Sequence, residues 1–186
     1  MAYDPLRALR LLQRRHVRFV VIGGVAARLW GSPTMTNVTE ICCRREPENL
    51  DRLAGALREL GARWRDVRDD VSLRLEGATL AAGENCRFDT DAGPLDVLGE
   101  PAGIGGGFDE LRANATDFDL GKGLVVPVGD LEDLIRMKRA AGRPTDRVEL
   151  EVLIAVREER DSAWRQESTA AVRERDDQAG TAGDRL

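Results

Sequence analysis

VRFVVIGGVAARLWGSPTMTNVTEICC, residues 17–43, is the stretch on which the fold reading turns. Four apolar residues at 19–22 run into Gly23-Gly24, the pattern of a central strand that ends in a tight turn. A short helix is expected over 24–30, then a Ser-Pro loop at 32–33, then a second strand over 39–43. The glycine pair has a physical use. It lets backbone approach a phosphate closely, and the helix that follows offers unpaired N–H groups at its start. Taken alone, Gly-Gly is more often an ordinary strand-to-helix turn. On an extended segment, residues two apart share a face, so Val38 and Glu40 belong together. Ser32 is placed to offer a hydroxyl beside Gly23-Gly24, or simply to shape the turn before Pro33.

Outward from this stretch the periodicity alternates between helix and strand. Asp4-Pro5 reads as an N-cap with proline at the first helical position, and Leu6, Leu9 and Leu12 share one face of a helix that ends near residue 16. Residues 47–60 repeat the helical pattern, with Gly61 as the stop. From 62 to 98 the patterning is mostly period-two (RWRDV, VSLRLE, CRFD, PLDVLG), which predicts several short antiparallel strands. A glycine-rich connection at 101–107 leads to a short helical piece at 108–114 and a strand at 124–128. Asp130 then caps a helix, LEDLIRMKRAAG, that stops at Gly142-Arg143-Pro144. A final helix is expected over 145–157. Beyond residue 158 the chain is charged and poor in core-building residues, so 158–186 is expected to be a flexible tail. The fold class that follows is α/β (α+β), a mixed sheet flanked by helices. Residues 1–157 form one domain, and 129–157 its small helical C-terminal part.

Composition narrows the function. The chain has 186 residues, a net charge of −5, three cysteines and one histidine. A single histidine argues against His-based metal sites and Ser-His-Asp triads. Cys42, Cys43 and Cys86 form neither a CxxC zinc pattern nor a disulfide framework and read as reduced thiols, which suits a cytoplasmic location. No long apolar run is present, so no membrane association is expected, and the basic, amphipathic start MAYDPLRALRLLQRRH lacks the apolar core of a signal peptide. The mild acidity removes any bulk pull on nucleic acid, so RNA contact would need a local basic patch.

The layout of residues 17–43 resembles that of nucleotidyltransferases of the DNA polymerase β superfamily. There a Gly-Gly or Gly-Ser turn cradles a triphosphate and a following strand carries Asp-x-Asp or Asp-x-Glu for metal ions. DLEDLIRMKRAAGRPTDRVELEVL resembles the matching segment of AbiEii-type and MenT-type nucleotidyltransferase toxins. Together the two matches cover roughly residues 15–157. The resemblance implies a nucleotidyltransferase fold and transfer of a nucleoside monophosphate from an NTP to an RNA (tRNA-like) or other hydroxyl acceptor. It also implies Mg²⁺ as cofactor and an antitoxin protein as a partner. It makes Gly23, Gly24, Ser32 and Lys138 nucleotide-binding candidates and Glu40 and Asp96 the catalytic, metal-binding carboxylates. Arg143 and Asp146 would support the site from behind. Asp89 and Asp91 compete with Asp96 for the third carboxylate position. The bland alternatives are solvent-facing polar residues for Glu40 and Asp96, a solvated neighbour of the core for Lys138, and a helix cap for Asp146. Three departures stand out: Val38 for the first aspartate, Thr39 for an apolar residue, and Thr34 where many relatives carry arginine. Valine cannot ligate metal, so weakened catalysis is expected. The alternative is a non-catalytic nucleotide-, RNA- or partner-binding module.

Overall fold

Four consecutive residues buried on both faces, Phe19–Ile22, form β1 near the middle of a seven-stranded mixed sheet. A strand covered on both faces reads as a continuous apolar run, which is why FVVI carries no alternation. The computed structural model describes residues 3–65 and 74–182, with side chains up to residue 166. In chain order the elements are α1 (Pro5–Arg14), β1, α2 (Gly23–Leu29), β2 (Thr39–Cys43), α3 (Pro47–Glu59), β3 (Arg63–Trp64) and α4 (Gly77–Ala82). There follow β4 (Asn85–Thr90), β5 (Gly93–Leu98), α5 (Gly107–Asn114), β6 (Thr116–Asp119), β7 (Val125–Val128), α6 (Leu131–Ala141) and α7 (Pro144–Ala182). The strand order is β3-β4-β5-β2-β1-β7-β6. β2 runs antiparallel to β1 and parallel to β5, while β7 runs parallel to β1.

Local chemistry accounts for the element ends. The Asp4 carboxylate accepts the Arg7 N–H at 3.0 Å and Pro5 opens α1, whose Leu9 and Leu12 are fully buried. Asp130 accepts the Glu132 N–H at 2.9 Å to start α6, and Gly142 ends it in the left-handed region at φ 64°. The mixed sheet flanked by helices is the expected fold class.

Several expectations need correction. α4 and β6 were not anticipated. α4 is only six residues long and offers no helical period to read. β6, sequence TDFD, is largely exposed and owes its strand state to pairing with β7. Of RWRDV, residues 63–64 form the two-residue β3, and 66–67 lie outside the described residues. Of VSLRLE, residues 71–73 lie outside the described residues, and 74–76 carry no regular structure. α7 continues as one helix to Ala182 instead of ending near residue 157. Between 158 and 179 neither glycine nor proline interrupts it, and Arg, Glu, Gln and Ala there favour helix. Residues 158–166 are all exposed, and Trp164 does not dock on the core. Among the described residues, no helix is long and apolar enough to cross a membrane.

Candidate functional site

The β2–β5 register sets Glu40 directly beside Asp96. In a parallel pair, register partners share a face, so both carboxylates point into one cleft. That cleft has a volume of about 510 Å³, and its walls include Gly23, Gly24, Ser32 and Lys138 as well. All six candidate residues therefore meet in one place. Of the three competing carboxylates only Asp96 lines the cleft. Asp89 pairs with Arg65, and Asp91 packs beneath Gly61. A second depression, of about 220 Å³, lies by Gln13, Arg18 and Phe108, and its lining includes no carboxylate.

Glu40 is held by the turn it faces. Its Oε2 accepts the Gly24 N–H at 3.3 Å. Gly23 sits at φ 63°, and a Cβ there would lie 1.7 Å from Glu40 Oε2, so glycine is required twice over. A Cβ on Gly24 would come within 2.6 Å of the Thr36 side chain. Burial pushes the Glu40 carboxyl above its ordinary value. The Lys138 ammonium and the Gly24 N–H oppose the rise, and the charges of Asp96 and Glu149 add to it.

Lys138 reaches the cleft from α6 but is already paired with Asp146 at 3.2 Å and with Glu149. Burial works against its charge, yet Glu149, Asp146 and Glu40 outweigh that and raise its pKa. Asp146 is fully buried at the start of α7. It accepts from the Arg143 backbone N–H at 3.2 Å, from Arg143 Nε at 2.7 Å and from Nη2 at 3.1 Å. The Arg143 hydrogen bonds, helped by Lys138 and opposed by burial, bring its pKa down to about 2. Ser32 is buried, and its Oγ accepts the Thr34 N–H at 3.2 Å, so it shapes the loop while lining the cleft.

At two of the positions where the sequence departs from the expected pattern the surroundings are well defined. Val38 lies one residue before β2, and its N–H and C=O are both tied to the Thr36 hydroxyl, at 3.3 and 3.1 Å. Thr39 is buried, and its Oγ1 lies 3.3 Å from the Tyr3 hydroxyl. For Thr34 the structure offers no explanation beyond its place in the loop.

Sequence reasoning missed Arg65, Arg87 and Glu149. Arg65 Nη1 lies 3.2 Å from Asp96 Oδ1, and Arg87 Nε 3.8 Å from Asp96 Oδ2. The signal was available for Arg87. A two-residue turn at Asp91-Ala92 pairs Thr90 with Gly93, and counting back from there puts Arg87 opposite Asp96. As to metal, two carboxylates face the cleft from the strands, and one is engaged by two guanidinium groups. Among the described residues no cluster of three or more His, Cys, Asp or Glu could hold an ion. This donor set does not fit the two-ion centre of nucleotidyl transfer, which needs hard oxygens open toward the cations.

No protein-family model and no curated protein matches the sequence. Among solved structures, the chain is similar to the lincosamide antibiotic adenylyltransferase LnuA in its lincomycin-bound crystal structure. The identity is 13%, with 81% of this chain and 94% of that chain covered and a TM-score of 0.53. It is also similar to ANT(2″)-Ia in complex with adenylyl-2″-tobramycin. There the identity is 18%, with 91% of this chain and 95% of that one covered and a TM-score of 0.52. At such identities the likeness speaks for the fold, and the fold of this chain is that of the nucleotidyltransferases.

Proposed function

We propose that this chain binds a nucleoside triphosphate in the cleft between β2, β5 and α6, and that it transfers the nucleotide to a hydroxyl acceptor only slowly. The reading is supported by one observation above the others: Glu40 and Asp96 are register partners on adjacent strands, facing the cleft that Gly23, Gly24 and Lys138 also line. In the transfer, an acceptor oxygen attacks the α-phosphorus and the bond to pyrophosphate breaks. Glu40, with its raised pKa, is the group suited to take the acceptor's proton. Slowness follows from Val38 and from the pairing of Asp96 with Arg65 and Arg87, which together leave no set of open carboxylates to hold two cations at the α-phosphate. The resemblance of the C-terminal helices to AbiEii-type and MenT-type toxins makes an RNA end, tRNA first, the acceptor to try, and an antitoxin the partner to seek.

A second reading is favoured by the engagement of Lys138 with Asp146 and Glu149: a non-catalytic nucleotide- or RNA-binding module. One experiment separates the two. Each of the four α-³²P-labelled NTPs is incubated with the purified chain and total tRNA, and both retained and transferred label are counted. Slow transfer above a no-enzyme control supports the first reading. Retention without transfer supports the second. Neither retention nor transfer removes nucleotide from the function altogether.

A further inference from the structure

Across β3, β4, β5 and β2 runs a row of charge that nucleotidyl transfer does not call for. Asp96 is the register partner of Glu40 on one side and of Arg87 on the other. The Arg65 backbone N–H donates to the Arg87 carbonyl at 2.9 Å, which extends the row by one more residue. The order is thus Arg65, Arg87, Asp96, Glu40, two cations followed by two anions. Cross-strand neighbours of opposite charge stabilise a sheet, whereas like charges side by side oppose it. The Arg87–Asp96 step is therefore the favourable centre of the row.

Arg65 is fixed rather than loosely placed. Its Nε donates to Asp89 Oδ1 at 3.1 Å, its Nη2 to the Phe88 carbonyl at 2.8 Å, and its Nη1 faces Asp96 Oδ1 at 3.2 Å. A guanidinium is a rigid planar fork, so it cannot leave Asp96 without disturbing the other two contacts. Only 17% of the Asp96 side chain is exposed. Arg87, on the other oxygen, is half-exposed and lines the cleft. Mg²⁺ gives up its water reluctantly and needs carboxylate lone pairs turned toward it. Here each Asp96 oxygen already faces a cation that cannot lose its charge by deprotonation.

We propose that Arg65 and Arg87 stand in for the metal ions at Asp96. Divalent ions are excluded from this carboxylate, and the phosphates of a nucleotide in the cleft meet the Arg87 guanidinium in their place. The second half rests on the nucleotide-binding reading above; the first half does not.

The test has two arms on the full chain. In the first, Mn²⁺ is titrated without nucleotide and free ion is read by electron paramagnetic resonance. Wild type is expected to bind no ion tightly. Arg65→Gln/Arg87→Gln is expected to gain a site at least about tenfold tighter, which Asp96→Asn in the same background removes. Tight Mn²⁺ binding by wild type that Asp96→Asn abolishes overturns the proposal. Because Arg65 also anchors β3 to β4, Arg87→Gln alone serves if the double variant does not fold. In the second arm, binding of a fluorescent ATP analogue is measured in EDTA and in excess Mg²⁺. Equal affinity within about threefold, with a loss of about tenfold or more in Arg87→Gln, is expected. Binding that requires Mg²⁺ overturns the proposal. If no nucleotide binds in either buffer, the nucleotide-binding reading falls, and the Mn²⁺ arm still decides whether Asp96 excludes metal.

Discussion

Replacing Asp146 tests whether the start of α7 is tied down by charge. The carboxylate is fully buried and receives hydrogen bonds from three Arg143 donors and from Lys138. These hold its pKa at about 2, against an ordinary 3.8. Since a pKa difference is a stability difference, the interactions of the charged form contribute about 2 kcal/mol at neutral pH. The sign follows from the depressed folded-state value. The contribution is complete above the unfolded pKa and is lost as pH falls from about 4 toward 2. Removing one partner of a buried pair costs more than the pair's net worth, because the other charge stays behind. Lys138 keeps Glu149, however, and Arg143 is mostly exposed, so the residual charges are not stranded. Asp146→Ala is therefore placed at the low end, about 2–3 kcal/mol, or roughly 5–10 °C in Tm for a chain of this size. Asp146→Asn, which keeps the shape, should cost about 1–2 kcal/mol. Urea denaturation of wild type and both variants, repeated between pH 7 and pH 3, is the assay. The gap between wild type and Asp146→Asn should narrow as pH falls below about 4. A loss under about 0.5 kcal/mol for Asp146→Ala, or a gap unchanged between pH 5 and pH 3, would refute the reasoning.

Gly23→Ala should destabilise by about 1–3 kcal/mol and abolish nucleotide binding, because it strains a positive φ and drives the Glu40 carboxylate off the Gly24 N–H; a wild-type Tm speaks against this. Thr39→Val and Tyr3→Phe should each cost about 1 kcal/mol, and the double variant little more than either; additive losses in a double-mutant cycle would show that the two hydroxyls do not interact. Val38→Asp alone should leave transfer slow, since Asp96 remains engaged by Arg65 and Arg87; a rise of about 10²-fold with NTP and Mg²⁺ from this single change would contradict the role given to the arginines. Truncation after Arg160 keeps the stacking of that guanidinium 4.2 Å from the Trp30 ring centroid and should move Tm by no more than about 2 °C; a larger fall would assign the rest of α7 a part in the fold.

What could be read from the sequence was what local chemistry dictates. Phe19–Ile22 and Thr39–Cys43 emerge as expected because an unbroken apolar run before Gly-Gly and a β-branched segment after a Ser-Pro loop admit few other states. Asp4, Asp130 and Gly142 mark helix ends by the hydrogen bonds and backbone angles that their side chains allow. β6 was illegible for the opposite reason. TDFD has no strand pattern of its own, and the pairing with β7 supplies what its composition lacks. The same division runs through the site. Glu40 and Asp96 could be brought together by period-two spacing on two strands. Arg65 could not, because its contact with Asp96 spans two ladder pairings and a side-chain fork, neither of which leaves a trace in local spacing.

The residues that differ from the Asp-x-Asp pattern expected from the resemblance make more physical sense together than singly. Val38 by itself looks like a lost ligand. In the fold it sits in a clasp closed by the Thr36 hydroxyl, and that threonine in turn packs so closely on Gly24 that a side chain there would collide with it. Thr39 by itself looks like a polar residue misplaced in a core, but the Tyr3 hydroxyl satisfies it from the N-terminal segment. Asp96 by itself looks like a metal ligand in waiting, but arginines from β4 and from the end of β3 meet its charge. Thr39 and Asp96 are thus met by partners from distant parts of the chain, and Val38 by a neighbour in its own loop. A site that had merely lost one ligand would keep its remaining carboxylates in need of a cation, and restoring the ligand would restore the site. Here the need has been met by side chains, so one added aspartate meets a carboxylate already neutralised. Glu40 differs: burial raises its pKa, while the Lys138 charge and the Gly24 N–H oppose the rise. The proposed transfer therefore takes its proton acceptor at Glu40 rather than at Asp96.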